Sequence, residues 1–404
     1  MNQSSQQSGQ PEANRADDPG NSSRLGDSPG SSSANEPFAD ETMAALCLNL
    51  VQGVGPRIYA DLIDAFGSPS KVLSAAPAKL REIPGVGAKL VRAIITAPET
   101  VNAQEQISIC ENNDIQILNP DSKQYPERLK EIYDPPSILF AQGDITPADN
   151  ISIAIVGSRH ATNYGIKTAE RLARGLAMAG VTIVSGLARG IDAAAHKGAL
   201  EAGGRTLAVL GGGHLKMYPP EHADLAKQIT NQGAVLTESL PDSAPKSGSF
   251  PRRNRIVTGL SLGVIVVEAA QRSGALISAR LAGEQSREVF AVPGRIDSRM
   301  SRGCHQLLKD GAKLVESIDD VLEELGPMAT PTTIDDKTEI RHPAELKLSE
   351  QESLILNSIS QEPTEFDFIV EQTGLPASRV LSTISVLEIR RLVKRISGTT
   401  VARI

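Results

Sequence analysis

The sequence predicts an α/β protein. Its centre is a doubly wound, mostly parallel sheet, preceded by an all-helical helix-hairpin-helix unit and followed by a winged helix. Three observations carry this. Between residues 151 and 325, short apolar runs alternate with stretches of helical length. These runs are apolar throughout, as strands covered on both faces are. Between 41 and 118, short helical patterns are broken by Gly-x-Gly turns. After 345, helix, turn, helix and a terminal hairpin follow one another.

Residues 1–40 are rich in Ser, Gly, Asn and Gln and hold very few large apolar side chains. Such a stretch cannot bury enough surface to offset its ordering entropy, so it is expected to be a disordered tail. A helix is expected over Glu41–Val51. The turn Gly53-Val54-Gly55-Pro56 then leads into a helix over Arg57–Phe66. The device recurs at Ile83-Pro84-Gly85-Val86-Gly87 before a helix over Ala88–Ile95. Glycines permit the backbone such hairpins need, and Pro56 suits a first helical turn. A tandem of this kind can hold DNA phosphate on backbone N–H groups, or it can simply turn the chain. Arg57 and Lys89 are the obvious cations near it.

Residues 119–150, with five prolines, read as a connector containing one strand, Ile138–Ala141. In the central domain, strands are expected at Ile151–Val156, Val181–Val184, Thr206–Leu210, Ala234–Thr237, Leu262–Val267, Glu288–Val292 and Lys313–Val315. Helices are expected at Ile166–Ala179, Ile191–Ala202, Glu221–Asn231, Arg253–Gly259 and Ala275–Gln285. Residues 326–344 form a Pro-bearing linker. The last unit, 345–404, has helices at Ser349–Ser360, Glu365–Glu371 and Ala377–Arg391 and a hairpin over Leu392–Ile404. Arg390, Arg391, Lys394 and Arg395 gather near its wing. Winged helices contact DNA or protein, and the sequence leaves that choice open.

Composition narrows the function. The 404 residues carry a formal charge of −7, so any nucleic-acid site is a local patch on an acidic body. The three cysteines are scattered, which fits a reducing cytoplasm and neither a disulfide framework nor a zinc site. No apolar run reaches the ~18 residues of a membrane helix, and no apolar leader opens the chain. The histidines have no ligand spacing with any Cys, and no metal or cofactor is expected.

The chemistry lies in the loops that follow the strands, because ligands of such sheets sit beyond the strands' carboxyl ends. The first loop is Gly157-Ser158-Arg159. The second runs Ser185-Gly186-Leu187-Ala188-Arg189-Gly190 into a helix with Asp192 and His196. The third is Gly211-Gly212-Gly213, ahead of Tyr218-Pro219. The fourth is Phe250-Pro251-Arg252-Arg253-Asn254-Arg255. The fifth runs Glu268 to Ala275 and contains Ser273-Gly274. Neither a dinucleotide Gly-x-Gly-x-x-Gly fingerprint nor a phosphate-loop Gly-x-x-x-x-Gly-Lys-Ser/Thr sequence is present. Small residues, helix N-termini and Arg forks instead point to a phosphate-bearing ligand. Phe250 can offer one base a stacking face. Asp192 and His196 invite a catalytic reading, but a loop-capping Asp and a packed His explain them better.

Ser185–His196, Phe250–Arg255, Glu268–Gly274 and Val292-Pro293-Gly294 together resemble the DprA family, also called Smf. The resemblance spans almost all of 41–404 and is most specific over 151–315. It implies a Rossmann-like domain that binds single-stranded DNA, a SAM-like helix-hairpin-helix front and a winged-helix back. It implies no enzymatic activity, dimers formed through the α/β domain, and a role in protecting incoming DNA and loading the RecA recombinase during natural transformation. Carried across by motif, the implied DNA contacts are Gly157, Ser158, Arg159, Ser185, Gly186, Phe250, Arg252, Arg253, Asn254, Arg255, Ser273 and Gly274. Lys246, just ahead of Phe250, is placed there with a less certain spacing. Arg159 and Arg255 are each expected to hold a phosphate, whereas Arg253 faces either the groove or the helix. The alternative is a nucleotide-processing phosphoribohydrolase on a similar fold. Its Pro-Gly-Gly-x-Gly-Thr-x-x-Glu loop would fall at Glu268–Ala275, which has neither the glycine run nor the later Glu.

Overall fold

A computed structural model describes residues 36–325, 332–335, 338–340, 342, 345, 348–390 and 392–404. Of the expected tail, residues 1–35 lie outside this range. The first helix, α1 (Glu36–Leu50), starts five residues before the expected Glu41. It packs with α2 (Pro56–Phe66), α3 (Pro69–Leu73), α4 (Pro77–Leu80), α5 (Ala88–Thr100) and α6 (Ala103–Glu111). Leu46, Leu48, Leu62, Val72, Leu80 and Ile94 form their shared core. Gly55 and Gly87 stand just before α2 and α5 and make no side-chain cap. The two Gly-x-Gly turns therefore do end in helix N-termini, as the sequence predicts.

The α/β domain comprises β1 (Gln116–Leu118), α7 (Glu127–Lys130), β2 (Leu139–Gly143), β3 (Ser152–Val156), α8 (Asn163–Met178), β4 (Thr182–Ser185), α9 (Ile191–Glu201) and β5 (Thr206–Val209). It continues through α10 (Ala223–Thr230), β6 (Gly233–Thr237), α11 (Ser249–Gly259), β7 (Gly263–Val266), α12 (Gly274–Glu284), β8 (Glu288–Ala291), α13 (Arg302–Lys309), β9 (Lys313–Leu314) and α14 (Ile318–Glu324). The strands form one nine-stranded sheet in the order β1-β2-β6-β5-β4-β3-β7-β8-β9. From β6 to β9 all neighbours are parallel. The stretch read as a connector supplies β2, which pairs antiparallel with β6 and with β1. The strand expected at Ile138–Ala141 is thus found one residue on, as an antiparallel member of the main sheet, with Leu139, Phe140 and Ala141 fully buried.

The strands alternate as the pleat requires. Ile153, Ile155, Ile183 and Ile265 enter one helical layer, with Leu172, Leu176 and Phe290. Ala154, Val156, Val184, Val264 and Val266 enter the other, with Ile256 and Val257. Helix α11 starts at Ser249, four residues before the expected Arg253. Pro251 does not oppose this, because a first helical turn has no use for that N–H. This shift decides the geometry of the arginine motif.

Beyond α14, the expected linker contributes β10 (Thr332–Asp335) and β11 (Thr338–Ile340), an antiparallel pair. The final unit is α15 (Glu350–Asn357), β12 (Thr364–Glu365), α16 (Phe366–Thr373), α17 (Ala377–Ile389), β13 (Val393–Arg395) and β14 (Thr400–Arg403). Its three strands pair in the order β12-β14-β13, the sheet of a winged helix. Ser349 and Glu352 close a capping box on α15, and left-handed Gly374 ends α16. No helix among the described residues is long and apolar enough to cross a membrane.

Candidate nucleic-acid interface

A groove runs across the carboxyl ends of β3, β4, β5 and β6 and along the first turns of α11. Its floor is Gly186. A Cβ there would stand 1.4 Å from Nη1 of Arg253, so only glycine lets the guanidinium cross the β4 loop. Arg253 is 5% exposed, and its Nε has no hydrogen-bond partner. No carboxylate lies within ion-pair distance of it among the described residues. Burial pulls its pKa down, Asp192 pulls it up, and Arg159 lies near enough to lower it further. Asp192 is itself buried and accepts the Ala188 N–H at 3.3 Å. Burial pushes its carboxyl up, against the pull of Arg253.

Arg159, on the exposed tip of the β3 loop, lays its guanidinium carbon 4.9 Å from the centroid of the Phe250 ring. It forms no ion pair among the described residues. The neighbouring cavity, of about 280 Å³, is lined by Gly211, Glu238, Ser239, Lys246, Arg252 and Arg253 among others. Two guanidinium groups, Lys246 and an aromatic ring thus share one concave face. Arg252 also reaches it, but its Nε is 3.1 Å from Glu238.

Other residues expected at the site are spent elsewhere. Arg255 lies on the opposite side of α11, with a side chain 5% exposed. Its Nε is 2.8 Å from Asp134 and its Nη2 is 2.8 Å from Glu238. It ties α11 to the segment ahead of β2 and to the end of β6, and it is not placed to hold a phosphate in this groove. The expectation fails because residues two apart on a helix face about 200° apart. Ser185 is fully buried and donates to the Ile155 carbonyl at 2.6 Å, so its hydroxyl stitches β4 to β3.

Gly157 and Ser158 shape the β3 loop. Gly157 packs so closely on Ile191 that a Cβ would meet it at 2.5 Å. Ser158 donates its N–H to the Glu268 carbonyl at 2.8 Å and accepts the His160 N–H on its hydroxyl at 3.1 Å. Asn254 reaches toward the Gly274 carbonyl at 3.5 Å. Ser273 caps α12 by accepting the Ala275 N–H at 3.3 Å. These last three residues form a separate junction between α11 and α12.

The Asp192–His196 pair does not assemble into a catalytic unit. His196 is fully buried with Nδ1 2.7 Å from Thr206 Oγ1. That hydroxyl donates to the Ile183 carbonyl at 2.7 Å, so it can only accept from Nδ1–H. Its buried Nε2 has no hydrogen-bond partner, and burial chiefly pushes the ring's pKa down to about 3, which favours the neutral form. Sequence reasoning passed over Glu268. It is buried, and its carboxylate accepts from the Thr162 N–H at 2.8 Å and the Thr162 hydroxyl at 2.6 Å. It braces the start of α8 where the strand order reverses between β3 and β7.

The winged helix offers less. Arg395 is 3.5 Å from Glu388 and lies 5.3 Å from the Phe366 ring centroid. Arg390 faces Glu352 at 3.4 Å. Lys394 is exposed, and Arg391 lies outside the described residues. Arg57 of the helical unit is hydrogen-bonded to Tyr133 and lies over its ring, while Lys89 is exposed.

Comparisons with known proteins agree with this architecture. The family model described as DNA recombination-mediator protein A matches residues 116–326. A DprA winged-helix domain matches 339–399, and a SAM-like helix-hairpin-helix tandem matches 48–97. Protein Smf of Synechocystis is 34% identical over 384 residues, covering 87% of this chain and 96% of that protein. DNA processing protein DprA of Streptococcus pneumoniae is 48% identical over 200 residues, covering 50% of this chain and 71% of that protein. An X-ray structure of DprA from Streptococcus pneumoniae superposes with a TM-score of 0.62 at 35% identity, covering 70% of this chain and 96% of that one. With three domain matches in order and a relative aligned over nearly its whole length, the chain belongs to the DprA (Smf) family of DNA recombination-mediator proteins.

Proposed function

We propose that this protein binds single-stranded DNA in the groove between the β3 loop and α11, with little sequence preference. The observation that carries the reading is the unbalanced positive charge there. Arg253 is buried, Arg159 stands close enough to repel it, and among the described residues Asp192 is the carboxylate set against the pair, while Glu238 beside them is taken up by Arg252 and Arg255. A phosphate would complete both charge and hydrogen bonding at Arg253. Phe250 supplies a stacking face, and nothing in the groove is arranged to read base edges.

Membership of the family extends the proposal. The protein acts in DNA processing and recombination, protecting single strands and loading RecA recombinase during transformation. It works as a homodimer through the α/β domain and has no catalytic step of its own. His196, turned into the core, and Asp192, capping a loop, support a binding site over a hydrolytic one. Gel shifts with oligo-dT and a matched duplex across a salt series test the reading. Tighter binding of oligo-dT is expected. Equal affinity for duplex, or no shift with either at low salt, would overturn it.

A further inference from the structure

The rim of the groove carries a succession of cations and rings that reaches past the proposed phosphate site. Arg159 lies over Phe250. The Phe250 ring centroid is 5.9 Å from that of Tyr218, with the planes at 62°. The guanidinium carbon of Arg189 lies 5.5 Å from the Tyr218 ring centroid, and its Nη1 donates to the Tyr218 hydroxyl at 3.3 Å. The four side chains come from the loops after β3, β4 and β5 and from the start of α11, so four separate segments converge on one line.

Resting on the single-stranded DNA reading, we propose that Tyr218 and Arg189 form a second nucleotide subsite beside Phe250. There the next base stacks on Tyr218 and its phosphate meets Arg189. Packing alone does not explain the arrangement. Tyr218 remains 43% exposed, whereas Tyr59 and Tyr125 are in the core. Arg189 spends Nε on Glu221 and Nη1 on Tyr218, and its Nη2 has no hydrogen-bond partner among the described residues. A guanidinium held against a ring with a free N–H edge presents a donor to an anion while the ring stays open to a base. Glu221 orients Arg189 and also partly neutralises it, so its carboxylate limits the strength of this subsite.

The absence of Trp from the chain provides the test. Phe250→Trp and Tyr218→Trp each create a single reporter whose fluorescence is quenched when a base stacks on it. Titration with oligo-dT of increasing length is expected to quench both, the Tyr218 reporter needing the longer oligonucleotide. Quenching of Phe250→Trp alone overturns the subsite and leaves the groove standing. Quenching of neither overturns both. Independently of these reporters, Tyr218→Leu keeps an apolar contact with Phe250 and is expected to lose roughly tenfold in affinity. Arg189→Ala is expected to flatten the salt slope by about 0.7. Glu221→Gln removes an opposing charge and is expected to tighten binding. Unchanged affinity and slope in all three, with melting temperatures like the parent's, would overturn the proposal.

Discussion

Helix α11 carries two buried arginines two residues apart, and their surroundings are opposite. Arg255 faces the body of the domain and meets two carboxylates, Asp134 and Glu238, each at 2.8 Å. Arg253 faces the groove, lies on Gly186 and meets no carboxylate at ion-pair distance among the described residues. Both belong to one Arg-rich motif and both are desolvated, yet one has its charge answered within the fold and the other does not. An arginine meets a phosphate most strongly where the fold has left its charge without an ion-pair partner, as at Arg253. Helix α9 shows the same division. Asp192 turns to the loop and the groove, whereas His196 turns into the core and bonds Thr206.

The largest effect is expected on the body side of α11. Arg255→Ala strips Asp134 of its partner and leaves Glu238, which is nearly buried, with Arg252 alone. Removing one member of a buried pair costs about 3 kcal/mol. Asp134 is partly exposed, which argues for the lower end of the known range. Urea unfolding should show the loss, while the folded fraction keeps the parent's salt slope for oligo-dT. A flattened slope with unchanged stability would place Arg255 in the groove and break the comparison.

The inward side of α9 gives the next effect. His196 has a folded pKa of about 3 and an unfolded value near 6.5, so the unfolded chain binds the extra proton. Its contribution is present above the unfolded pKa and is lost as pH falls. Between pH 7 and pH 5 the loss from this group is about 2 kcal/mol. Denaturant melts of the parent at the two pH values, set against His196→Asn, should isolate it. A parent and variant with the same pH dependence would show that His196 is not held neutral in the core.

Much of this division was legible in the sequence. The parallel strands appear in the apolar runs at Ile151–Val156 and Leu262–Val267, because burial on both faces leaves no polar alternation to misread. Arg159, Phe250 and Gly186 are where loop chemistry places them. The fate of Arg253 and Arg255 was not legible, since it depends on where α11 begins. Phe250–Arg255 reads as a loop with the helix starting at Arg253, and a loop gives no facing rule. Asp134, the partner of Arg255, is 121 residues away in sequence. The Glu268–Thr162 brace likewise joins residues 106 apart, across a strand order that no local pattern reveals. Tyr218 was noticed beside Pro219 without a role, because its neighbours Phe250 and Arg189 come from other loops.

On the groove side, the effects should appear in DNA affinity. Arg159→Ala removes an exposed cation, so melting should hardly change. Affinity for oligo-dT should fall about tenfold, the worth of one charge-assisted hydrogen bond. The slope of log affinity against log salt should flatten by roughly 0.7. Arg159→Lys should recover part of the affinity, keeping the charge without the fork or the guanidinium contact with Phe250. Gly186→Ala sharpens the test, because it leaves every charge in place but drives the Arg253 guanidinium from its seat. Weaker binding in that variant would show that the position of Arg253, and not merely local charge, holds the strand.

The smallest effect is expected in the winged helix, where sequence alone also showed a basic cluster. Arg395 lies against Phe366 and 3.5 Å from Glu388, so its charge is already partly answered, as that of Arg255 is. An exposed pair of this kind contributes little to stability, in the range of 0–1 kcal/mol. Its loss releases no counterion on binding if DNA never displaced Glu388. Arg395→Ala should therefore leave oligo-dT affinity, salt slope and melting all close to the parent. The same variant combined with Glu388→Gln separates two causes. If affinity drops in both variants, Arg395 meets phosphate in exchange for Glu388 and the groove is not the whole site; if it drops only in the single variant, the freed Glu388 carboxylate repels the strand. If neither variant differs from the parent, while Arg159→Ala does, the unanswered charge that matters for DNA lies at the carboxyl ends of the parallel strands.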